Sequence, residues 1–352
     1  MKFRKYFLIF YYALIIPLIN LYAQQSEPHY LNENIEMKKW LTENNVPAVG
    51  IGIIMDGKLK QIKMFGELKK NNPAPYNTIF NVASLTKPVV AMLTLKLVSM
   101  GEWKLEEPLS NYYIDPDVAN DPRSKKLNTR HILSHQTGFV NWRWLHKSKK
   151  LTFDFDPGTK FQYSGEGFEY LKHALEGKFK KPLEQLADSL IFKPLKMADS
   201  RFVWNKSMDS SRFAMWHDKD GRNTYETTKQ TVASAADDLL TTIEDYGNFC
   251  VAVINGFGLP EIIFNDMVKP QAIIKKNDYM GLGWEILDSI GDNEYALVHT
   301  GSDKGVKTLA ILLPKSKEGL LIMTNGDNGT SLYNKLIIET LSLGKEIMER
   351  AK

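Results

Sequence analysis

Apolar and polar positions alternate along this chain in two different rhythms. Near the start, NENIEMKKWLTEN (residues 32–44) repeats its apolar residues at helical spacing. The next stretch, PAVGIGIIMDGKLKQIKMFGELKK (47–70), reads as two apolar-rich strands around the turn pair Asp56-Gly57, an antiparallel hairpin behind a helix. From residue 84 the run VVAMLTLKLVSM has the length and spacing of a helix, with Gly101 placed to stop it. Helical or irregular pieces then continue to about residue 255, among them TRHILSHQ, GFEYLKHALEG, LEQLADSLIF and DLLTTIEDYGNFCVAVING. The strand rhythm returns in YMGLGWEIL, EYALVHTG, VKTLAILLP and GLLIMTNG, and SLYNKLIIETLSLGKEIMERA reads as one closing helix.

Strands at both ends with helices between them predict an α+β fold. Its antiparallel sheet is built from both chain ends and flanked by terminal helices, and a mostly helical region is inserted in the middle. The expected division is a sheet part of about 30–83 and 256–352 and a helical part of about 84–255, within a single catalytic domain of residues 24–352. Among the apolar runs, YFLIFYYALIIPLINLYA (6–23) is set apart by the basic head MKFRK before it and the polar QQSEPHY after it. This order predicts a signal peptide cut between Ala23 and Gln24, and so an exported protein, periplasmic or secreted, or membrane-anchored if the cut fails. No stable membrane span is expected once it is removed.

Composition narrows the class. Of the 352 residues, 43% are hydrophobic and 24% charged, as in a folded soluble domain. The formal charge falls from +4 to +1 when Lys2, Arg4 and Lys5 leave with the signal, which gives no reason to expect a nucleic-acid partner. The single cysteine, Cys250, sits in the apolar NFCVAVI and reads as a core thiol, so no intrachain disulfide is possible. No phosphate-binding Gly-rich loop, Gly-x-Ser-x-Gly elbow or His-Glu-x-x-His occurs, and no metal or other cofactor is expected. Gly50-Ile-Gly52 begins a Gly-x-Gly pattern inside a strand, and Asp218-Lys-Asp220-Gly221 is only a fragment of a calcium loop.

The chemistry centres on NVASLTKPVV (81–90). Ser84 and Lys87 stand three residues apart, and on a helix such side chains are neighbours at about 5–6 Å between Cβ atoms. Pro88 lacks an N–H, which is harmless only in a helix's first turn, so the helix starts at or just before Ser84. A serine hydroxyl needs a neighbouring base to become a nucleophile, and an amine serves when burial or positive charge lowers its pKa. A second Ser-x-x-Lys, Ser342 to Lys345, lies in the polar part of the closing helix.

Read together, Ser84-Leu-Thr-Lys87, Pro157-Gly-Thr-Lys-Phe-Gln-Tyr163-Ser164-Gly165 and His299-Thr300-Gly301 resemble, in order and spacing, the three motifs of penicillin-recognising serine hydrolases. The likeness is to the family of class C β-lactamases, D-alanyl-D-alanine carboxypeptidases, D-aminopeptidases and β-lactamase-like esterases. It extends from about residue 30 to 340. The resemblance implies that Ser84 attacks a carbonyl and forms an acyl-enzyme. Lys87 and Tyr163 would move the proton, with Lys87 as the cation beside the phenol and His299 as its second partner. It further implies backbone N–H groups of Ser84 and Ser302 as an oxyanion hole, and Thr300-Gly301-Ser302 as the substrate strand, with Gly301 leaving room for the substrate. That strand is expected to be an edge strand beside the nucleophile. Gly165 departs from the family's asparagine, whose amide orients the substrate's amide side chain, and this keeps ester or small-amide hydrolysis open. His135 is read as a packing residue and Glu166 as a charge at a helix N-terminus. The expected substrates are small amides or esters, D-amino-acid peptides of cell-wall type first and β-lactams next, acted on by a monomer. A non-catalytic protein binding peptidoglycan fragments or a partner is the rival reading.

Overall fold

The computed structural model describes residues 34–350 except 292; the signal reading of residues 1–23 lies outside the described residues. Helix α1 (Asn34–Glu43) leads into the hairpin of β1 (Ala48–Met55) and β2 (Lys58–Lys69). Asp56 and Gly57 take φ of 53° and 66°, the left-handed pair that matches a two-residue turn to the strand twist. Then follow β3 (Asn72–Pro73), β4 (Phe80–Asn81), a 3-10 turn at Ala83–Leu85 and helix α2 (Thr86–Ser99). The middle holds α3 (Thr129–Leu133), α4 (Gly165–Phe179) and α5 (Leu183–Ala187), joined by long irregular stretches and 3-10 turns. After β5 (Leu240–Thr241), which pairs with β4, come α6 (Ile243–Ile254) and α7 (Glu261–Met267). The chain ends with β6 (Ala272–Lys275), β7 (Asp278–Met280), β8 (Glu285–Ile290), β9 (Glu294–Asp303), β10 (Val306–Leu313), β11 (Glu318–Thr324), α8 (Tyr333–Thr340) and α9 (Gly344–Arg350).

Nine strands form one antiparallel sheet in the order β3-β2-β1-β11-β10-β9-β8-β7-β6, so β1 near the start pairs with β11 near the end. The sheet is therefore built from both chain ends, as the strand rhythm predicts. Alternation along each central strand splits its side chains between two cores. Val49, Ile51, Leu320 and Ile322 pack with Met37 and Leu41 of α1 and Leu336 and Ile337 of α8. Leu321, Met323, Ala310 and Leu312 join Phe249, Cys250 and Val253 of α6 on the other face. Full burial of each such aliphatic side chain stabilises by about 1.5–3 kcal/mol, and these two layers carry the scaffold.

Gly50 and Gly52 belong to this packing. A Cβ at Gly50 would lie 2.6 Å from Ile243 Cγ1, and one at Gly52 3.1 Å from Ile243 Cγ2, so bare backbone lets α6 lie close on the sheet. Two elements differ from the sequence reading. The closing helix breaks at Leu341, where the backbone is extended (φ −96°, ψ 140°). A Cβ at Gly344 would come 2.1 Å from the Ile337 carbonyl, so the chain can double back there only without a side chain. Ser342 lies in this break and Lys345 in α9, so the two do not share a helix face. The short edge strand β6 also escapes the sequence rhythm, because only four residues with one buried position carry it.

Candidate active site

Ser84 is presented by a strained turn. Ala83 takes φ of 48°, uncommon for a residue with a Cβ, and its N–H is held by Asn81 Oδ1 at 2.8 Å. Thr86 Oγ1 donates to the Ala83 carbonyl (2.6 Å) and accepts from the Leu239 N–H (3.0 Å), while Tyr246 Oη donates to the Leu85 carbonyl (2.8 Å). The turn is thus tied to the segment that enters α6. Pro88 falls in the first turn of α2, where its missing N–H costs nothing.

Lys87 is fully buried. Its Nζ lies 2.9 Å from Ser84 Oγ and donates to the Ala236 carbonyl at 2.7 Å. The segment bearing that carbonyl is itself positioned by α4. Lys172 Nζ donates to the Ala233 carbonyl, and Glu169 Oε1 accepts from Ser234 Oγ and the Ala235 N–H. Lys87 Nζ also stands 4.9 Å from the Tyr163 ring centroid and 5.9 Å from that of Phe168.

Tyr163 is clamped by His135, which the sequence reading assigns to packing and loop structure. The two rings stack at 4.2 Å. The Gln162 N–H donates to the His135 carbonyl (2.8 Å) and the Ser164 N–H to His135 Nδ1 (3.0 Å), so both backbone neighbours of Tyr163 are fixed by one residue. Nδ1 accepts, which places the ring proton on Nε2. Burial, then Lys87, then His299 hold this imidazole neutral, well below the usual histidine range.

The strand carrying His299 is an edge over only part of its length. β9 pairs with β10 through Asp303, but β8 reaches only Val298, so residues 299–303 have a free edge on the β8 side. His299 Nδ1 donates to the Thr300 carbonyl at 2.9 Å, and Thr300 and Ser302 are exposed. Burial and Lys87 push the His299 imidazole down to about 3, so as the second partner of Tyr163 it is neutral and not a cation. Nor does Gly301 leave room for a substrate: a Cβ there would come within 2.2 Å of both the Val82 carbonyl and Thr308 Oγ1. Thr308 Oγ1 donates to that same carbonyl at 2.9 Å, so the glycine seats the nucleophile turn against β9.

Gly165 begins α4, with Ser164 Oγ capping the helix by accepting from the Gly167 N–H. A Cβ on Gly165 would meet the Trp142 indole at 2.8 Å. Glu166, in the first turn, is buried against Arg143, whose backbone N–H, Nε and Nη2 all donate to it at 2.8–3.0 Å. Both of its oxygens are thus engaged by Arg143, as expected of a structural ion pair at the helix start.

Three carboxylates, Asp237, Asp238 and Asp303, have oxygens within 4.8 Å of one another just past Ala236. Asp238 Oδ1 accepts from Asn81 Nδ2 at 2.9 Å, linking the trio to the nucleophile turn. Asp237 is pushed up to about 7, first by burial and then by Asp238, with Lys87 pulling the other way. The adjacent aspartates in ASAADDLL are the only sequence sign of this cluster. Beside the site, a pocket of about 50 Å³ is lined by Phe161, Tyr163, Met280, Glu285, His299 and Thr300. A cavity of about 760 Å³ between Leu41, Gly66, His217 and Arg222 contains none of Ser84, Lys87, Tyr163 or His299, and its size does not make it the reactive centre.

A buried lysine on a serine hydroxyl, with a clamped tyrosine and a free strand edge alongside, is the arrangement of a serine hydrolase. Comparison agrees: the family model described as Beta-lactamase matches residues 28–343, and the chain belongs to that family. Among its relatives, D-alanyl-D-alanine-carboxypeptidase/endopeptidase AmpH of Escherichia coli (strain K12) is 23% identical over 315 residues, 80% of each chain. Esterase EstB of Burkholderia gladioli is 29% identical over 175 residues, 42% of this chain and 43% of the esterase. In fold, the octameric penicillin-binding protein homologue from Pyrococcus abyssi matches with a TM-score of 0.74 at 20% identity, covering 89% of this chain and 79% of its own. Among the described residues no helix is long and apolar enough to cross a membrane.

Proposed function

We propose that this protein is an exported serine hydrolase that forms an acyl-enzyme at Ser84 on small amides or esters, the amides including D-amino-acid peptides of cell-wall type and β-lactams. The observation that carries the reading is the 2.9 Å contact of Ser84 Oγ with the wholly buried Lys87 Nζ. The names of the two relatives, an esterase and a carboxypeptidase/endopeptidase, span the same range of leaving groups.

In the attacking step Lys87 acts as base: Nζ keeps an N–H on the Ala236 carbonyl and, having passed its extra proton on, turns its lone pair to the Ser84 hydroxyl. The hydroxyl proton passes to Nζ as the Oγ–C bond forms, and backbone N–H groups of Ser84 and Ser302 receive the oxyanion. When the carbonyl re-forms, the C–N or C–O bond breaks and the amine or alcohol leaves with the proton, relayed by Lys87 and Tyr163. Water then adds to the acyl carbonyl, giving one proton to the same pair; as the carbonyl re-forms the Ser84 Oγ–C bond breaks, the pair returns that proton to Oγ, and the acid departs. A neutral His299, donating to the Thr300 carbonyl, holds the strand edge and carries no charge in these steps.

Intact-mass spectrometry tests both parts of this reading on protein recovered from an exporting host. The expected mass begins at Gln24, and a fluorophosphonate adds one adduct that Ser84→Ala abolishes. A folded protein that takes neither a fluorophosphonate nor a penicillin adduct would leave the non-catalytic binding protein as the better account.

A further inference from the structure

We propose that Trp142, backed by Trp144, is a specificity-determining wall of the Ser84 site that selects esters of apolar acyl groups over peptide substrates. This rests on the acyl-enzyme reading and names its substrate class.

Trp142 is held against the start of α4 by both of its neighbours in the chain. Asn141 Oδ1 accepts from the Gly165 N–H at 2.8 Å, and the Asn141 carbonyl accepts from the Glu166 N–H at 3.0 Å. On the other side, the Arg143 N–H donates to Glu166 Oε1 at 2.9 Å. The two residues flanking Trp142 are thereby pinned to Gly165 and Glu166, which sets the backbone position from which the indole projects. It lies where the side chain of residue 165 would begin, 2.8 Å from a Cβ there. Trp144 stacks on its outer face, with ring centroids 4.8 Å apart and planes 9° from parallel, and is itself 55% exposed. The result is a two-layer aromatic stack, exposed at Trp144, that meets the chain at Gly165, two residues beyond Tyr163 and so within about 7 Å of it along the chain.

Such a wall discriminates by what it lacks. A peptide acyl group brings amide N–H and C=O groups that lose water on entry, and indole faces offer them no hydrogen bonds in exchange. An apolar acyl chain loses nothing and gains contact area, so each methylene laid on the wall favours it. Gly165 completes the effect, because its position cannot present a polar side chain while Trp142 fills the space.

The test compares kcat/KM for p-nitrophenyl acetate, p-nitrophenyl butyrate and a diacyl-Lys-D-Ala-D-Ala peptide in the wild type, Trp142→Phe, Trp142→Ala and Trp142→Ala/Gly165→Asn. Trp142→Ala is expected to lower the butyrate-to-acetate preference about tenfold, mainly through KM, as expected for lost hydrophobic contact in a pocket. Trp142→Phe retains most of that preference, and the double variant shifts the ester-to-peptide ratio toward peptide by about tenfold or more. Fluorophosphonate labelling of each variant shows whether Ser84 is intact and the protein folded. A preference unchanged in labelled Trp142→Ala, or a wild type that prefers the peptide, overturns the wall. Loss of labelling in the wild type, with ester hydrolysis surviving in Ser84→Ala, would instead overturn the acyl-enzyme reading itself.

Discussion

Ser84 owes its reactivity to neighbours that are individually ordinary. A left-handed alanine lifts it, a fully buried lysine touches it, and the lysine is oriented by one carbonyl of a segment braced by Glu169 and Lys172. His299 shows how burial decides chemistry at this scale. The sequence reading makes it a partner of Tyr163, and desolvation and the nearby Lys87 favour the uncharged ring in that role. The consequence is measurable: in histidine-labelled protein the His299 ring stays neutral as pH is lowered from 7 to about 4. An inflection of kcat/KM near 6.5 that disappears in His299→Asn would contradict this.

Among elements, the junction between the 141–143 segment and α4 is held by a network of charges. Arg143 reaches Glu166, Asp115 and Asp117, and two of those carboxylates are nearly buried. Removing the guanidinium strands them, which is costlier than the pairs themselves are worth. Arg143→Ala is therefore expected to destabilise the protein by about 3 kcal/mol, with Arg143→Lys recovering only part because it cannot bind two carboxylates bidentately. Urea unfolding checks this, and a loss under about 0.5 kcal/mol would assign the network to the surface class of ion pairs. The glycines of the site act at the same scale: Gly165 and Gly301 are each required by a protein neighbour, Trp142 and the Val82 carbonyl.

At the level of the whole molecule, the sheet and the helical middle meet at the acidic trio, where Asp237 and Asp238 are half-buried and Asp303 is exposed. Asp237 ordinarily titrates at 3.8 and here at about 7, so between those values the folded protein keeps a proton that the unfolded chain has released. Stability should fall as pH rises through that window and level off above it. Asp237→Asn removes this slope. Its Tm should match the wild type near pH 4 and exceed it near pH 8, by thermal melts at both values; a gap that shrinks with rising pH would reverse the assignment.

How much could be read beforehand follows from range. The hairpin turn at Asp56-Gly57, the place of Pro88 in the first turn of α2 and the strands β9 to β11 are set by nearest neighbours and two simple periods, and the sequence alone determined them. It also named Ser84, Lys87, Tyr163 and His299, because their motifs are local. What the tertiary structure decided were relations between distant segments. His135 clamps Tyr163 from 28 residues away in the chain, and Trp142 fills the place beside Gly165 from 23 away. Thr308 and Val82 close on Gly301, and the doubling back of Gly344 against Ile337 decides where Ser342 sits. Charge state belongs to the same class, since the neutrality of His299 and the raised pKa of Asp237 come from desolvation, and desolvation exists only once the chain has packed around them.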